Sequence, residues 1–285
     1  MSRIEPPDSK HVEQDVAEAL AEDLDEAGDL TAALIDPATR VSGRVITRES
    51  CILAGRPWAE RSFAAVDKRI ELTWAAEDGD RLAPNQVLFE VFGPARGILT
   101  GERTALNFLQ LLSAVATVTG RYVEGLKDGK TRVLDTRKTL PGLRRAQKYA
   151  VRCGGGVNHR IGLFDAFLIK ENHIAAAGSI SGAVTRAQAL ASGQLIEVEV
   201  ENLDELAEAI EAGAQRVMLD DFTLEDTHRA VALNEGRVEL EASGGIEMDR
   251  LADIAATGVD YVSVGALTKH IRAIDLSMRL DSAAD

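Results

Sequence analysis

The sequence has little cysteine and lacks long apolar runs. Its two cysteines, Cys51 and Cys153, lie far apart and outside any metal-ligand spacing in a chain of 285 residues. This usage predicts neither a disulfide framework nor a zinc site, so both thiols are expected to be free. No apolar run approaches the roughly 18 residues of a transmembrane helix, and the acidic N-terminus lacks the pattern of a signal peptide. We therefore expect a cytoplasmic protein that does not insert into membranes.

Basic residues are also outnumbered. The chain has 32 Lys and Arg against 46 Asp and Glu, which gives a formal net charge of −14 at pH 7. The acidic excess is strongest at the start, where residues 1–30 carry two basic and ten acidic side chains. Because an acidic surface repels phosphate backbones and anionic lipids, sequence-independent binding to nucleic acid or to a membrane surface is not expected.

One segment reverses this balance. Residues 131–172 hold nine Lys and Arg against three acidic residues, and the basic side chains surround the glycine run 154–156. A local positive field inside an acidic chain attracts small anions. The segment therefore predicts a buried site for a small, multiply charged anion.

From residue 131 onward, short apolar runs alternate with amphipathic helical patterns. The runs span 132–135, 166–170, 195–200, 216–220, 238–243 and 261–265. Between them lie segments such as 203–213, in which apolar residues recur at helical spacing until Gly213. Repeated βα units with nearly continuous apolar strands indicate parallel strands, in a barrel or in an open doubly wound sheet. We favour an α/β barrel because each run ends in polar residues or glycine, at the edge where such barrels place their active site.

The last two runs each lead into glycine. The sequence ASGGI spans 242–246, and VSVGAL follows at 262–267. The loops after the final strands of β/α barrels bind phosphate through backbone N–H groups, and glycine lets the ligand approach closely. The pair of loops predicts a phosphate site.

The N-terminal part of the chain follows a different pattern. Residues 77–99 alternate short strands with Gly, Pro and Asn turns, which resembles the hairpins of lipoyl or biotinyl modules but lacks their attachment lysine. We therefore predict a small α+β domain here, followed by a long helix over 100–126 that bridges two domains. The predicted domains are 1–112, completed by 271–285, and a catalytic barrel over 113–270.

Several motifs occur together in the order known from one enzyme family. They are GERTALN, DTRKTLPGLR, GGGVNHRIGL followed by LIKENHI, EVEV, SGGI, VGALTK and an EDL-x-x-x-GDLT segment near the start. In these motifs the chain resembles the quinolinate phosphoribosyltransferases. The resemblance implies conversion of quinolinate and phosphoribosyl pyrophosphate (PRPP) into nicotinate mononucleotide, pyrophosphate and carbon dioxide, with Mg²⁺. It also implies an N-terminal α/β sandwich, an incomplete parallel α/β barrel of six or seven strands, and a homodimer or larger assembly of dimers.

Quinolinate, the molecule that accepts the phosphoribosyl group, accounts for the arginines. Quinolinate is a pyridine with two adjacent carboxylates, so its site needs forked, permanently charged donors, for which arginine suits better than lysine. The candidates are Arg103, Arg137 and Arg160, with His159 beside them. The resemblance implies that Arg103 reaches the active site of the neighbouring subunit.

PRPP, which donates the phosphoribosyl group, accounts for the other polar residues. Phosphoribosyl transfer passes through a ribosyl cation-like transition state, so the protein must stabilise departing pyrophosphate as well as positive charge on the sugar. Lys138 and Lys170 suit phosphate oxygens, while Glu199 and Asp220 suit the ribose hydroxyls and Mg²⁺. These four residues are the candidate catalytic groups. The candidate contacts to the 5′-phosphate and its surroundings are Thr136, Ser243, Gly244, Gly245, Val264, Gly265 and Ala266.

A few residues stay open at this level. Asp221 stands where the resemblance leads us to expect Asn, and its carboxylate either adds charge on the metal side or faces away, the second being favoured. His173 either orients Lys170 or packs as a neutral imidazole, and packing is favoured. Lys269 is a candidate second phosphate contact. No pyridoxal or thiamine cofactor is required, because the ribosylated pyridine is cationic and stabilises the carbanion left by decarboxylation.

Three other functions compete with this interpretation. An aldolase-type enzyme would use Lys170 to form a Schiff base, but it leaves the arginines unexplained. A salvage-type nucleobase phosphoribosyltransferase would carry two acidic residues followed by x-x-T-G, and residues 220–224 lack that pattern. A non-catalytic sensor of a phosphorylated metabolite would not need Glu199 and Asp220 together with the two lysines, and a product assay separates it from an enzyme.

Overall fold

The chain folds into two compact units. The computed structural model describes residues 4–5, 7–126, 129–191 and 193–281. The first unit contains the described residues of Met1–Gly120, Leu140–Gly155 and Thr268–Asp285, and the second those of Arg121–Thr139 and Gly156–Leu267. The domain boundaries predicted from the sequence stay a prediction, and their outermost residues, 1–3 and 282–285, lie outside the described part of the chain.

Helices and strands alternate through most of the described residues. The helices are α1 (Ser9–Leu24), α2 (Arg56–Val66), α3 (Ala95–Gly125), α4 (Arg144–Cys153), α5 (Glu171–Ala177), α6 (Ile180–Leu190), α7 (Leu203–Glu211), α8 (Leu224–Asn234), α9 (Leu251–Ala256) and α10 (Ala266–Lys269). The strands are β1 (Arg40–Thr47), β2 (Cys51–Ile52), β3 (Glu71–Trp74), β4 (Arg81–Leu82), β5 (Val87–Pro94), β6 (Arg132–Leu134), β7 (Ala166–Ile169), β8 (Leu195–Val200), β9 (Arg216–Asp220), β10 (Glu239–Ser243), β11 (Tyr261–Ser263) and β12 (Leu276–Leu280).

The first unit is built on a small antiparallel sheet. Its strand order is β12-β1-β5-β3, and a separate pair joins β2 to β4. Strand β12, from the C-terminal part of the chain, pairs antiparallel with β1. Buried apolar residues of the sheet and of α2 and α3 form one core, with Phe63, Phe89, Leu106 and Leu109 among its members. Burial of such side chains is the main force that holds a domain of this size together.

The second unit is a parallel sheet in which helices connect the strands. Its strand order is β6-β11-β10-β9-β8-β7, and the barrel is not closed. Beside β6, Val157 forms a parallel bridge with Leu134 and donates its N–H to the carbonyl of Val133 at 2.8 Å. The predicted incomplete α/β barrel is therefore confirmed.

Local sequence accounts for these elements. Strands β8 and β9 read LIEVEV and RVMLD, which are β-branched and apolar enough to be buried on both faces of a parallel sheet. Helix α7 begins where the side chain of Asn202 accepts the N–H of Glu205 at 2.9 Å, and Gly213 with φ +87° follows its end. Among the described residues, no helix is long and apolar enough to cross a membrane.

Candidate active site

The strand register brings most of the predicted site residues to one edge of the sheet. Ile169 pairs with Val198, so Lys170 and Glu199 follow at the same level on neighbouring strands. Asp220 pairs with Ser243 at the ends of β9 and β10. Residues 136–138 and 264–266 follow β6 and β11, which are also neighbours. All these residues belong to the second unit, whereas Arg103 lies on α3 in the first.

Lys170 and Glu199 form an ion pair at this edge. The ammonium Nζ of Lys170 contacts Oε2 of Glu199, and the Glu199 side chain is only 11 % exposed. A lysine whose ammonium is bound by a carboxylate is poorly placed to act as a free nucleophilic amine. The pair therefore argues against the aldolase-type alternative.

The two predicted metal ligands offer oxygen only. Glu199 and Asp220 lie at the ends of adjacent strands, and each remains partly accessible to solvent. Mg²⁺ prefers a few carboxylate oxygens and retains several waters or substrate oxygens in its coordination shell. This pair of partly exposed carboxylates fits that preference, because it leaves room for oxygens that the protein does not supply.

The loop after β10 depends on two left-handed glycines. Gly244 has φ +100° and Gly245 has φ +48°. A Cβ placed on Gly244 would run into the carboxylate of Asp221, whose N–H donates to the carbonyl of Ser243 at 3.1 Å. Asp221 itself has φ +54°, a conformation that Asp and Asn adopt more readily than other side chains. Asp221 thus lies against the glycine loop.

The loop after β11 packs against the side chain of Lys138. A Cβ on Gly265 would come within 2.9 Å of Cδ of Lys138, so only a residue without a side chain leaves this lysine in place. The hydroxyl of Thr136 accepts the backbone N–H of Lys138 at 3.0 Å. The two segments predicted to contact phosphate therefore meet at this edge.

Replacing Gly244 with alanine should damage this loop specifically. The strained backbone costs about 1–3 kcal/mol, and the collision with Asp221 displaces the loop. We expect the KM for PRPP to rise roughly 10- to 100-fold, the usual effect of misplacing a binding group by about 1 Å. Gly236→Ala is the matched control, because Gly236 has φ +76° with no atom within 4 Å of its added Cβ. Steady-state kinetics that show equal effects on KM in both variants would contradict the prediction.

The guanidinium charges of Arg137 and Arg160 influence each other. Burial and the neighbouring Arg137 lower the pKa of Arg160 from its ordinary value. Nη1 of Arg160 donates to the carbonyl of Ala166 at 3.3 Å, while its Nε is buried without a hydrogen-bond partner among the described residues. Two like charges close together with an unused donor are stabilised by an anion. The repulsion and the open Nε donor of Arg160 suit an anionic ligand.

His159 is buried behind Arg160. Nδ1 of its ring accepts the backbone N–H of Arg160 at 2.7 Å, and Nε2 lies 2.8 Å from Oε2 of Glu197 and 3.7 Å from Oε2 of Glu241. The carboxylate of Asp135 accepts the backbone N–H of His159 at 2.9 Å. The imidazole is thus directed into the interior of the sheet unit, and its predicted direct contact with substrate stays a prediction.

The sequence analysis missed Glu197 and Glu241. Both are fully buried, and burial raises the pKa of each carboxyl, with the proximity of Glu197 adding to the effect on Glu241. Together with His159 they could hold a metal ion, since their ligand atoms all lie within 4.8 Å of one another. The signal was present in the alternation of EVEV and ELEAS, which places Glu197 on the same side as Glu199 and Glu241 on the same side as Ser243.

The structure places two further residues whose roles the sequence left open, His173 and Lys269. Nδ1 of His173 accepts the backbone N–H of Lys170 at 3.0 Å, at the start of α5. His173 is exposed, and this contact with the backbone of Lys170 favours the alternative in which it orients Lys170 over the preferred one in which it packs as a neutral imidazole. Lys269 belongs to the first unit.

Comparisons with known proteins show which family the chain resembles. The family descriptions "Quinolinate phosphoribosyl transferase, N-terminal domain" and "Quinolinate phosphoribosyl transferase, C-terminal domain" match residues 29–113 and 115–279. The "Nicotinate-nucleotide pyrophosphorylase [carboxylating]" of Mycobacterium leprae is 42% identical over 273 residues, which cover 93% of this chain and 95% of the relative. The "Probable nicotinate-nucleotide pyrophosphorylase [carboxylating]" of Bacillus subtilis is 41% identical over 88% of this chain and 87% of its own.

A solved structure has the same fold over the full length. The nicotinate-nucleotide pyrophosphorylase from Francisella tularensis superposes with a TM-score of 0.95 at 51% identity, covering 99% of this chain and 100% of that one. The similarity therefore extends over both units of the chain.

Proposed function

Because the chain belongs to the quinolinate phosphoribosyltransferase family, we propose that the carboxyl edge of its barrel strands binds quinolinate and PRPP side by side. The enzyme transfers the phosphoribosyl group of PRPP to quinolinate with decarboxylation, and the reaction belongs to NAD biosynthesis. The observation that carries the placement is the buried Nε of Arg160, which has no hydrogen-bond partner in the described part of the chain and lies near the charge of Arg137. The strand edge that holds Lys170, Glu199 and Asp220 supplies the other groups.

In the proposed acceptor site, Arg137 and Arg160 bind the two carboxylates of quinolinate. A guanidinium matches a carboxylate through two parallel N–H donors, and two guanidiniums match two adjacent carboxylates. Arg103 of a second subunit adds a third. His159 contributes indirectly, because its ring accepts the backbone N–H of Arg160. The proposed assembly is a homodimer or a larger assembly of dimers, and it rests on the family resemblance.

In the proposed donor site, the lysines and the two loops bind PRPP. Lys138 and Lys170 contact pyrophosphate and phosphate oxygens, and Thr136 adds a hydroxyl. Glu199 and Asp220 hold the ribose hydroxyls and Mg²⁺, which when bound would neutralise charge on the pyrophosphate. The loop residues proposed to surround the 5′-phosphate are Ser243, Gly244, Gly245, Val264, Gly265 and Ala266.

The chemistry then needs little beyond charge and orientation. The pyridine nitrogen of quinolinate attacks C1′ of the ribose while the bond from C1′ to pyrophosphate oxygen breaks. Carboxylates near the sugar stabilise its developing positive charge, and Lys138 stabilises the departing pyrophosphate. The ribosylated ring is a pyridinium, so it accepts the electron pair left when the adjacent carboxylate departs as carbon dioxide. Protonation of that carbon gives nicotinate mononucleotide.

A product assay tests the proposal directly. Purified protein with quinolinate, PRPP and Mg²⁺ should release nicotinate mononucleotide, pyrophosphate and carbon dioxide in equal amounts. Omitting PRPP should abolish all three products. Binding of both substrates without any product would contradict the proposed turnover and would favour the sensor alternative.

We also propose a cytoplasmic location, because a highly charged phosphorylated substrate is retained inside cells.

Removing either proposed metal ligand should damage use of PRPP while sparing the acceptor. We expect Glu199→Ala and Asp220→Ala to lower kcat on the order of 100-fold, the usual effect of deleting one group that stabilises transition-state charge. Calorimetric affinity for quinolinate should stay within about threefold, because Arg137 and Arg160 are unchanged. Glu201→Gln is the control, since this exposed carboxylate lies just beyond β8. Loss of quinolinate affinity in the alanine variants would move both carboxylates to the acceptor site.

A further inference from the structure

We propose that Glu197 and Glu241 are positioning residues for acceptor binding: they hold the imidazole of His159 inside the barrel, and His159 in turn holds Arg160 at the carboxyl edge. This inference rests on the proposed function, because it places Arg160 in the quinolinate site. Neither glutamate lies at a strand end, so neither is expected to touch a substrate.

The chain of contacts begins at Arg160. Its backbone N–H donates to Nδ1 of His159 at 2.7 Å, so that ring nitrogen acts as an acceptor and carries no proton. A neutral imidazole then has its proton on Nε2. Nε2 faces Oε2 of Glu197 at 2.8 Å. Glu197 therefore lies against the edge of the ring and restricts its orientation by this close contact, although the two atoms are not in hydrogen-bond geometry.

Glu241 supports the ring from a second strand. Its Oε2 lies 3.7 Å from Nε2 of His159, and β9 separates β10, which carries Glu241, from β8, which carries Glu197. Both carboxyl groups have no exposed surface. A buried carboxyl group is costly unless nearby polar groups compensate it. Such groups lie beside both carboxyls: Glu241 has Ser263 and His159 as neighbours, Glu197 has Arg216, and the two carboxyl groups also contact each other.

The two successive peptides on either side of the His159 Cα each have their N–H bound. Asp135 accepts the N–H of His159 at 2.9 Å, and the imidazole accepts the N–H of Arg160. With the backbone held, the guanidinium donates from Nη1 to the carbonyl of Ala166 at 3.3 Å. If the ring turns away, the N–H of Arg160 loses its acceptor and the guanidinium becomes less ordered. Affinity for a dicarboxylate then falls, because binding must order the side chain again.

Paired substitutions at Glu197 test this role. Glu197→Gln keeps a polar oxygen beside Nε2, whereas Glu197→Met has a similar length and no strong acceptor. We expect Glu197→Met to raise the KM and the calorimetric Kd for quinolinate about tenfold, with the KM for PRPP unchanged. Glu197→Gln should restore both values to within about threefold of wild type. Glu241→Met should have a smaller effect than Glu197→Met, because its oxygen is farther from the ring.

Asp260→Asn is the matched control. Asp260 is a partly buried carboxylate of the same unit, and it pairs with Lys130 at 2.9 Å rather than with His159. This variant should bind quinolinate as the wild type does. A general loss of folding would appear in thermal unfolding and would affect both substrates, so it is separable from the expected effect on quinolinate alone.

Three results would overturn the inference while leaving the proposed function intact. The first is an active wild type in which Glu197→Met leaves quinolinate binding unchanged. The second is equal damage by Glu197→Gln and Glu197→Met. The third is one tightly bound metal ion per purified chain that is lost in Glu241→Met, which would make the three groups a metal site. A wild-type protein that does not bind quinolinate at all would instead count against the proposed function.

Discussion

Nicotinate should be a poor acceptor, with a kcat/KM on the order of 10⁴-fold below that of quinolinate. A site built from paired charged donors rejects a ligand that leaves one donor unmatched, because the repulsion between the two guanidiniums is then left uncompensated. Arg137 and Arg160 already lie close enough for burial and mutual repulsion to lower the pKa of Arg160. The second carboxylate of quinolinate relieves that repulsion, and nicotinate has none to offer.

Initial-rate measurements with both acids at saturating PRPP check this selectivity. A pyridine dicarboxylate whose carboxylates are not adjacent is the matched control compound, since it has the same charge as quinolinate with a different spacing. Arg160→Lys keeps the charge and loses the forked donor, so it should lower the ratio of kcat/KM for quinolinate to kcat/KM for nicotinate. Comparable kcat/KM values for the two acids in the wild type would show that the arginine pair does not recognise the second carboxylate.

Mixing two inactive variants should restore activity from background to about a quarter of the wild-type value, if dimers pair at random and Arg103 acts across the subunit boundary. Arg103→Ala damages the residue donated to the partner, and Lys138→Ala damages the receiving barrel. In a mixed dimer, one site collects both lesions and the other collects neither. About half of the randomly paired dimers are mixed, and each contributes one intact site of two.

Subunit exchange must be demonstrated in the same experiment. Mass spectrometry of differently tagged chains gives the fraction of mixed dimers, and the recovered activity should rise in proportion to it. A mixture of Lys138→Ala with Glu199→Ala is the matched control, because both residues belong to the same unit of the chain and every mixed dimer would then have two damaged sites. Background activity despite confirmed exchange would place Arg103 in the site of its own chain.

Much of the barrel follows from local sequence. The predicted runs 195–200 and 216–220 coincide with β8 and β9, because continuous β-branched and apolar residues suit a strand that is buried on both faces. The helix predicted over 100–126 is α3, which begins five residues earlier at Ala95. Its periodic Ala and Leu pattern determines its existence, while its first turn follows directly from β5, where the sequence has no clear start signal.

The chemistry of the edge could also be predicted, since residue type limits what each group can bind. Arginines suit adjacent carboxylates, glycines suit a close approach to phosphate, and carboxylates suit Mg²⁺. The pairing of these groups could not be predicted in the same way. Lys170 meets Glu199 because Ile169 pairs with Val198, and that register is a property of two strands far apart in sequence.

The sequence by itself determined the α/β architecture, the acidic surface with one basic segment, and the residue types at the carboxyl edge, because each depends on local periodicity or on the chemistry of single side chains. Only the tertiary structure decided the direction of the His159 ring and the roles open to Glu197 and Glu241. Those depend on the order of β8, β9 and β10 and on which faces turn inward, so the free energy of the buried cluster arises only when distant strands are packed together.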